Sequence, residues 1–598
     1  MIQNFIVSAL KELWIDEIDH KFILEPHIYY ELKKRDELKL YKSLEVAQYR
    51  RKNKNDLISD SEYIDSKFEK YIPIITSRLN SIHKTNFNED FWKKSLSVHF
   101  ERYIVFVYEI YSNCKTYYNP EIHKVQTLAI NSIDIPKGFD EQRELFHNSH
   151  YGIELIFSLF IKHFNFLSFK DIYIKNININ KLTKPKKKSF IGRLLDISIS
   201  KLTNKILCKI LSKAEHEIGI LGSHISKKSL NELMIKSQGK IFPFDYIYKN
   251  NKSANKKWEE ERDYLSKSEE DFDNFDNFFF STMKNLFPTM LLEQFQDILS
   301  YYQNFYEKNK SLKYIFSEVW PSVNFVSIGI AFLKTKGVKH VYNEHNYFAH
   351  PFECNELKKS IKVVDIFFSL GWFDYDYTNM IQGGSLFEFT IKKQKVKYDI
   401  CYITGPKSIY KPQFTPTYGI DCEHTLMYYK FVNEFFSNLS DKVINSIYLR
   451  EYPIIQRSRI HYDDSFMLKP YYSKFKKINS MYESGKQSIS KSKLVIIDYI
   501  STPYLESILI NTPTIFFHNT DCYYLSDKYK DFFKDLIECG ICQTDPKIAA
   551  NFVEEININP EKWWFSEQVQ SARKNFIDTN IGKPDVLKNY ALNLLDYN

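Results

Sequence analysis

The sequence predicts an α/β protein, with a parallel sheet covered by helices on both faces in its C-terminal half and large helical insertions in its N-terminal half. Three observations predict it. The chain has 598 residues, too many for one ordinary core, so two or more domains of roughly 100–200 residues each are expected. From residue 311 onward, short β-branched or aromatic runs alternate with segments of helical spacing, the pattern of strands and crossover helices. The stretch KSKLVIIDYISTPYLESILINTPTIFFHNTDCYYLSD at 491–527 reads as strand, polar turn, helix and strand.

Taken in order, NFIVSAL and HKFILEP are the first two strand candidates. Between 60 and 115, FEKYIPIITSRLNSIHK and FWKKSLSVHFERYIVFVYEIY place apolar residues at i, i+3, i+4 and i+7, which predicts amphipathic helices. KVQTLAIN reads as a strand, and helices follow to about 170. The most apolar window, GIELIFSLFIKHFNFLSF, carries Glu154, Lys162 and His163, so a buried helix is expected there and not a membrane span. INKLTKPKKKSFIGRLLDISISKLTNKILCKILSKA is basic and amphipathic. Its polar side, with Lys186, Lys187, Lys188, Arg193 and Lys201, suits either a solvated surface helix or peripheral contact with an anionic membrane. Residues 250–280 look like a polar loop feeding a helix. The D-x-D in DFDNFD has no apolar strand before it and is expected to be surface. Beyond 311 the strand candidates are KYIFSEVW, KHVYNEHN, VVDIFFSLGW, YDICYITGP, INSIYLREYP, KLVIIDYI and TPTIFFHN.

Composition narrows the function. Hydrophobic residues make up 43% and charged residues 26%, which is globular. The net charge of +8 is mild for this length. It fits anionic ligands but not the concentrated basic face of a nucleic-acid binder, so no nucleic-acid partner is expected. Of eight cysteines only Cys539 and Cys542 form a C-x-x-C, and a zinc ribbon needs a second such pair. Reduced, structural thiols and a cytoplasmic location are expected. The N-terminal segment lacks the basic region, apolar stretch and cleavage site of a signal peptide.

Ligands in open α/β sheets bind beyond the carboxyl ends of the strands, so the residues there are the candidates. Asn343, Glu344, His345 and Asn346 follow KHVY, and Thr404, Gly405 and Pro406 follow YDICYI. Arg450, Glu451 and Tyr452 follow NSIYL; Asp498, Ser501 and Thr502 follow KLVII. Ser501 and Thr502 stand where a helix should begin, with Pro503 in its first turn. Free amides and hydroxyls there form an anion site, unless the hydroxyls only cap the helix. Glu506, one turn on, is placed to accept from ribose hydroxyls, and Arg450 to pair with a phosphate. His345 is a candidate acid, base or phosphate donor, flanked by Glu344. His345 and His350 lack the helical H-E-x-x-H arrangement, so no metal site is expected. No glycine-rich lysine loop of an ATPase is present.

These pieces resemble a known family. FIVSALKELW, LNSIHKTNFNEDFWKKSLS at 79–97, EHNYFAHPFE with DIFFSLGW, LREYP at 449–453, STPYLESILINTPTIFF and KWWFSEQVQSARKNF at 562–576 are similar, in that order, to transferases of bacterial O-antigen and other surface-polysaccharide gene clusters. These are related to the GT-B glycosyltransferases, built of two Rossmann-like domains. Two departures stand out: His345-Asn346-Tyr347 where relatives carry a Gly-containing HGG-like turn, and Ile500 where they carry Asn. The resemblance implies an acceptor-side domain over 1–310 and a nucleotide-donor domain over 311–560. A closing helix over 561–598, with Trp563 and Trp564, would pack back on the first domain. It implies sugar transfer from a nucleotide-sugar donor to a saccharide or lipid-linked saccharide acceptor of a surface polysaccharide, with no metal or other cofactor. His345 and Glu344 would be catalytic, and Arg450, Tyr452, Ser501, Thr502 and Glu506 would bind the donor. Polyol-phosphate transfer from a CDP-polyol and a non-catalytic scaffold remain the alternatives.

Overall fold

The computed structural model describes the chain except residues 1, 49, 52, 148, 175–198, 222–224, 245–257, 319–324, 345–349, 355–356, 385–392, 406, 408, 410–423, 453–461, 481, 583–585 and 597–598, and the side chains of 97, 147 and 199–202. The described residues form three parallel sheets and a two-stranded pair. The first sheet contains β1 (Gln3–Ile6), β2 (His20–Ile23), β3 (Ser43–Val46) and β4 (His123–Lys124), in the order β3-β2-β1-β4. β5 (Gln126–Leu128) pairs with β6 (Lys170–Ile172). The second sheet contains β7 (Ile218–Leu221), β8 (Ile241–Pro243), β9 (Tyr314–Ser317), β10 (Lys339–Asn343), β11 (Ile366–Phe368) and β12 (Met380–Ile381), in the order β12-β11-β10-β9-β7-β8. The third contains β13 (Tyr398–Ile403), β14 (Ile447–Arg450), β15 (Lys476–Lys477), β16 (Ser492–Ile497), β17 (Thr514–Phe517) and β18 (Cys542–Gln543), in the order β15-β14-β13-β16-β17-β18.

Numbered within itself, the third sheet runs 3-2-1-4-5-6, the order of the dinucleotide-binding fold. The second runs 2-1-3-4-5-6, so the chain carries two Rossmann-like sheets in succession, a GT-B-like arrangement, behind a smaller parallel sheet. In the third sheet β13 and β16 lie side by side, with Tyr402 opposite Ile496 and Ile403 opposite Ile497. Leu494 to Ile497 are all buried, as expected of a parallel strand covered on both faces.

The division expected at residue 311 falls inside a sheet. β9, β10 and β11, placed by their alternation in the C-terminal domain, share with β12 the sheet that pairs through β9 with β7, so the break between sheets lies between Ile381 and Tyr398. β7 and β8 have no counterpart among the strand candidates. The closing segment also differs from expectation. Trp563 Nε1 donates to the Cys539 carbonyl (2.9 Å) and Trp564 Nε1 to Asn511 Oδ1 (2.7 Å), so both tryptophans pack on the third sheet's own domain. The later helix Val586–Asp596 crosses over. It buries Leu587 and Ala591 against the second sheet and pairs Lys588 with Glu232 at 3.0 Å.

The helical mass expected between 60 and 115 is two long helices, Lys54–His83 and Glu89–Tyr117. Asn53 and Asn88 cap them, accepting from backbone amides of the first turn, and Lys84 ends the first in the left-handed region. The second helix packs on helix Val326–Thr335 of the second sheet, where Ser327 Oγ donates to the Ser95 carbonyl (2.7 Å). The D-x-D segment is not simple surface. Asp273 caps helix Asn274–Leu286, and Asp276 is fully buried among Lys67, Lys70 and Tyr71. Lys186, Lys187, Lys188 and Arg193 lie outside the described residues. Beyond them helix Ile199–Leu211 exposes Ile206 and Ile210. No described helix is long and apolar enough to cross a membrane.

The second and third sheets are stitched at their C-terminal edges. Glu353 N donates to the Tyr524 carbonyl and Ser526 N to the Pro351 carbonyl, both at 2.9 Å, around an antiparallel bridge between Phe352 and Leu525. On its way to the crossing helix, the closing segment passes the second sheet backbone against backbone at Gly582, which bridges Gly384. A Cβ on Gly582 would stand 2.4 Å from the Gly383 carbonyl oxygen, and its φ is +67°. Gly582→Ala is therefore expected to destabilise the protein by about 1–3 kcal/mol. A urea unfolding midpoint equal to wild type would show that this crossing contributes no stability.

Candidate functional site

The strand order of the third sheet reverses between β13 and β16, so the crevice at their carboxyl ends is the ligand position for this topology. Its floor is a buried charged network. Asp498, one residue past β16, accepts from Tyr402 (2.9 Å), from the Gly405 amide (3.2 Å) and from Tyr428. Lys407, four residues past β13, donates to Asp464 (2.8 Å), lies 3.8 Å from Asp498, and sits over the rings of Tyr428 and Tyr429. Tyr429 also donates to Asp464 at 2.7 Å. Burial raises the Asp498 carboxyl above its ordinary range, against the pull of Lys407. Gly405 must be glycine, because a Cβ there would stand 2.6 Å from the Tyr499 ring.

Above this floor stand the predicted donor residues. Arg450 ends β14 beside β13, opposite Ile403. Its Nη2 donates to the Glu483 carbonyl at 3.2 Å. The side chain is 93% out of solvent (7% exposed), yet its Nε has no hydrogen-bond partner. Glu506 lies on helix Thr502–Ile510, and its Oε1 is 3.7 Å from Lys486 Nζ. Arg450 and Glu506 converge on one point. A Cβ built on Gly485 would be 3.6 Å from Glu506 Oε2, 3.9 Å from Arg450 Cζ and 4.0 Å from Arg450 Nη1. Burial pushes the Glu506 carboxyl up to about 7, with Lys486 and then Arg450 drawing it back.

Ser501 precedes that helix in extended conformation and makes no side-chain cap hydrogen bond, so simple capping does not account for its hydroxyl. Thr502 is the first helical residue, one turn before Glu506 and on the same face. Tyr452, two residues past Arg450, is half-buried. His345 lies outside the described residues. Glu344 belongs to the end of β10 in the second sheet, not to a neighbouring strand of the third as the expected domain boundary implied. It is buried, and its Oε2 accepts from Trp372 Nε1 (2.6 Å) and the Leu370 amide (2.9 Å). Burial pushes its carboxyl up to about 7, against those two donors. Sequence reasoning missed Lys407, Asp464 and the tyrosines. Lys407 stands just past a strand end, a position that was readable, whereas its partners come from separate segments. Among the described residues no group of three or more His, Cys, Asp or Glu is placed to hold a metal ion.

Two Rossmann-like parallel sheets in succession, the third with a switch point between β13 and β16, define the fold class. Residues 3–588 match the profile of the LIC12162 family transferases, and the chain belongs to that family. It is therefore a transferase. No curated protein sequence matches it. Among solved structures, Anabaena HepE in complex with UDP and glucose is 10% identical, covering 63% of this chain and 99% of that one with a TM-score of 0.33. The glycotransferase of kitacinnamycin is 8% identical, with 64% and 99% covered and a TM-score of 0.33.

The network makes one expectation direct. Lys407→Met would leave Asp498 buried and Asp464 half-buried without their cation and should cost about 3–5 kcal/mol of stability. A urea unfolding curve unchanged from wild type would remove the network from the structural core of the site.

Proposed function

We propose that this transferase moves a sugar from a nucleotide-activated donor onto a growing bacterial surface polysaccharide, of O-antigen or capsule type. The observation that carries the reading is the buried, unpartnered Nε of Arg450 beside the Glu506 carboxylate, next to the helix headed by Ser501 and Thr502. A buried guanidinium donor left unpaired costs about 1–3 kcal/mol or more, and a phosphate oxygen would satisfy it. In this reading the Thr502 hydroxyl and the first-turn amides share the phosphate charge. Glu506 accepts from the ribose hydroxyls, and Tyr452 borders the nucleotide. Arg450 and the helix N-terminus stabilise the departing phosphate electrostatically, so no metal is required. His345 and Glu344 stay on the acceptor side, His345 as acid or base. The basic segment with Lys186, Lys187, Lys188 and Arg193 is the proposed contact with an anionic membrane carrying a lipid-linked acceptor.

Calorimetric titration with UDP-, GDP-, CDP- and CMP-containing compounds tests this. Arg450→Ala should weaken the nucleotide that binds by about 1.5–3 kcal/mol, and Thr502→Ala by about 0.5–1.5 kcal/mol. Glu506→Gln should weaken ribonucleotides while leaving pyrophosphate nearly unchanged. If Arg450→Ala binds as tightly as wild type, the donor lies elsewhere.

Glu506 also sets a pH dependence. Ribose hydroxyls donate to its ionised form, so binding lowers a carboxyl that titrates at about 7 in the free protein. Affinity for a nucleoside should therefore rise between pH 6 and pH 8, and Glu506→Gln should flatten the rise. The same slope in wild type and variant would assign the titration to another group.

A further inference from the structure

A cavity lies where the carboxyl edges of the two Rossmann-like sheets meet, and neither Arg450 nor Glu506 lines it. Its volume is about 260 Å³, and its walls come from His350 after β10, helix Leu357–Val363, the loop after β11, and Ser526, Lys528 and Tyr529 after β17. That volume is just below the range of drug-sized ligand sites, about 300–1,000 Å³, and suits a single small ring.

We propose that this cavity is a binding site for a neutral sugar ring. The inference rests on the transferase reading above and adds a subsite to it.

The walls combine aromatic faces with hydrogen-bonding groups, which matches a sugar's C–H faces and its hydroxyls. Trp372, Tyr377 and Tyr529 supply the aromatic part. The Trp372 ring is held in place. Its Nε1 donates to Glu344, and His350 stacks on it at 4.2 Å with planes 10° apart. Glu344 is thus a positioning residue for this wall. Asp374 supplies the acceptor. Its carboxylate takes Lys528 Nζ, the Asp376 amide at 3.0 Å and the Tyr529 hydroxyl at 3.3 Å. An ionised carboxylate offers about four acceptor sites, so room for a ligand hydroxyl remains. Lys528 spends two of its three N–H donors on Asp374 and Asp376.

Charge decides the ligand's sign. Lys358 and Lys528 are matched by Asp374 and Asp376, so the lining is balanced. A balanced lining gives neither an anion nor a cation a net attraction, whereas a neutral polyol meets acceptors and donors alike. The loop also exposes Phe373 and Tyr375, with ring centroids 5.0 Å apart, between the lining residues. They extend the aromatic surface for the next ring of an oligosaccharide.

The test is saturation-transfer NMR of the full chain with free glucose, galactose, mannose, N-acetylglucosamine and rhamnose and their short oligomers. Calorimetry with nucleotides runs in parallel on the same samples. At least one sugar should bind wild type, and Asp374→Asn and Tyr529→Ala should each weaken it fivefold or more while nucleotide affinity stays within twofold. Tyr529→Ala removes an aromatic wall and serves if Asp374→Asn fails to fold. Displacement of the sugar by a nucleotide-sugar but not by the bare nucleotide identifies the donor's sugar as the natural occupant. Persistence under both identifies the acceptor's. If nucleotide binds but no sugar does, or if a sugar binds both variants as well as wild type, the subsite is wrong and the donor reading stands. If sugars bind as expected but no nucleotide does, the donor reading fails and the sugar site stands.

Discussion

The antiparallel stitch between 351–353 and 524–526 is the contact on which the rest of the molecule depends. Two parallel sheets, each with ligand positions at its carboxyl edge, can cooperate only if those edges face one another. Here the loop after β17 leaves the third sheet and hydrogen-bonds, backbone to backbone, with the loop after β10 of the second. Backbone pairing of this kind is indifferent to side-chain rotamer, so it holds the edges in register while the surrounding side chains stay available for chemistry. Ion pairs reinforce it. Lys528 reaches Asp374 and Asp376, and Lys54, at the start of the first long helix, reaches Glu353 and Asp527.

Within the third sheet, electrostatics follows from topology. The strand order brings β13 and β16 together, and their ends deliver Lys407 and Asp498 to the same buried spot. Two aspartates share one lysine under three tyrosine hydroxyls, which gives both carboxylates protein partners. One layer out, Arg450 and Glu506 are buried but incompletely satisfied: the guanidinium has an unmatched Nε and the carboxyl is pushed toward neutrality. A floor that is fully paired beneath a rim that is not is the arrangement expected where a ligand completes the polar contacts.

The closing helices show how the chain couples its domains a second time. Trp563 and Trp564 anchor on the third sheet's domain, the glycine crossing at Gly371, Gly383 and Gly582 lets backbones touch, and Val586–Asp596 then seals the far face of the second sheet. The expected return of the segment to an earlier domain is therefore made by its last helix, while its tryptophans are local.

By itself the sequence determined the α/β class, the strand–turn–helix–strand unit at 491–517, the two long helices before residue 117 and the strand-end residues of the third sheet. The physical reason is that buried parallel strands read as unbroken apolar runs, and helices declare themselves by period. Glu506 was legible because a helix places it one turn from Thr502. The tertiary structure alone decided that β9 to β12 belong with β7 and β8, since pairing between parallel strands leaves no mark in either strand's own pattern. It also decided that Glu344 supports Trp372, that Asp276 is a buried counter-ion, and that Arg450, from a strand 52 residues before helix Thr502–Ile510 begins, meets Glu506 beside Gly485. Such contacts join distant segments, and only folding brings their charges close enough to shift one another's ionisation.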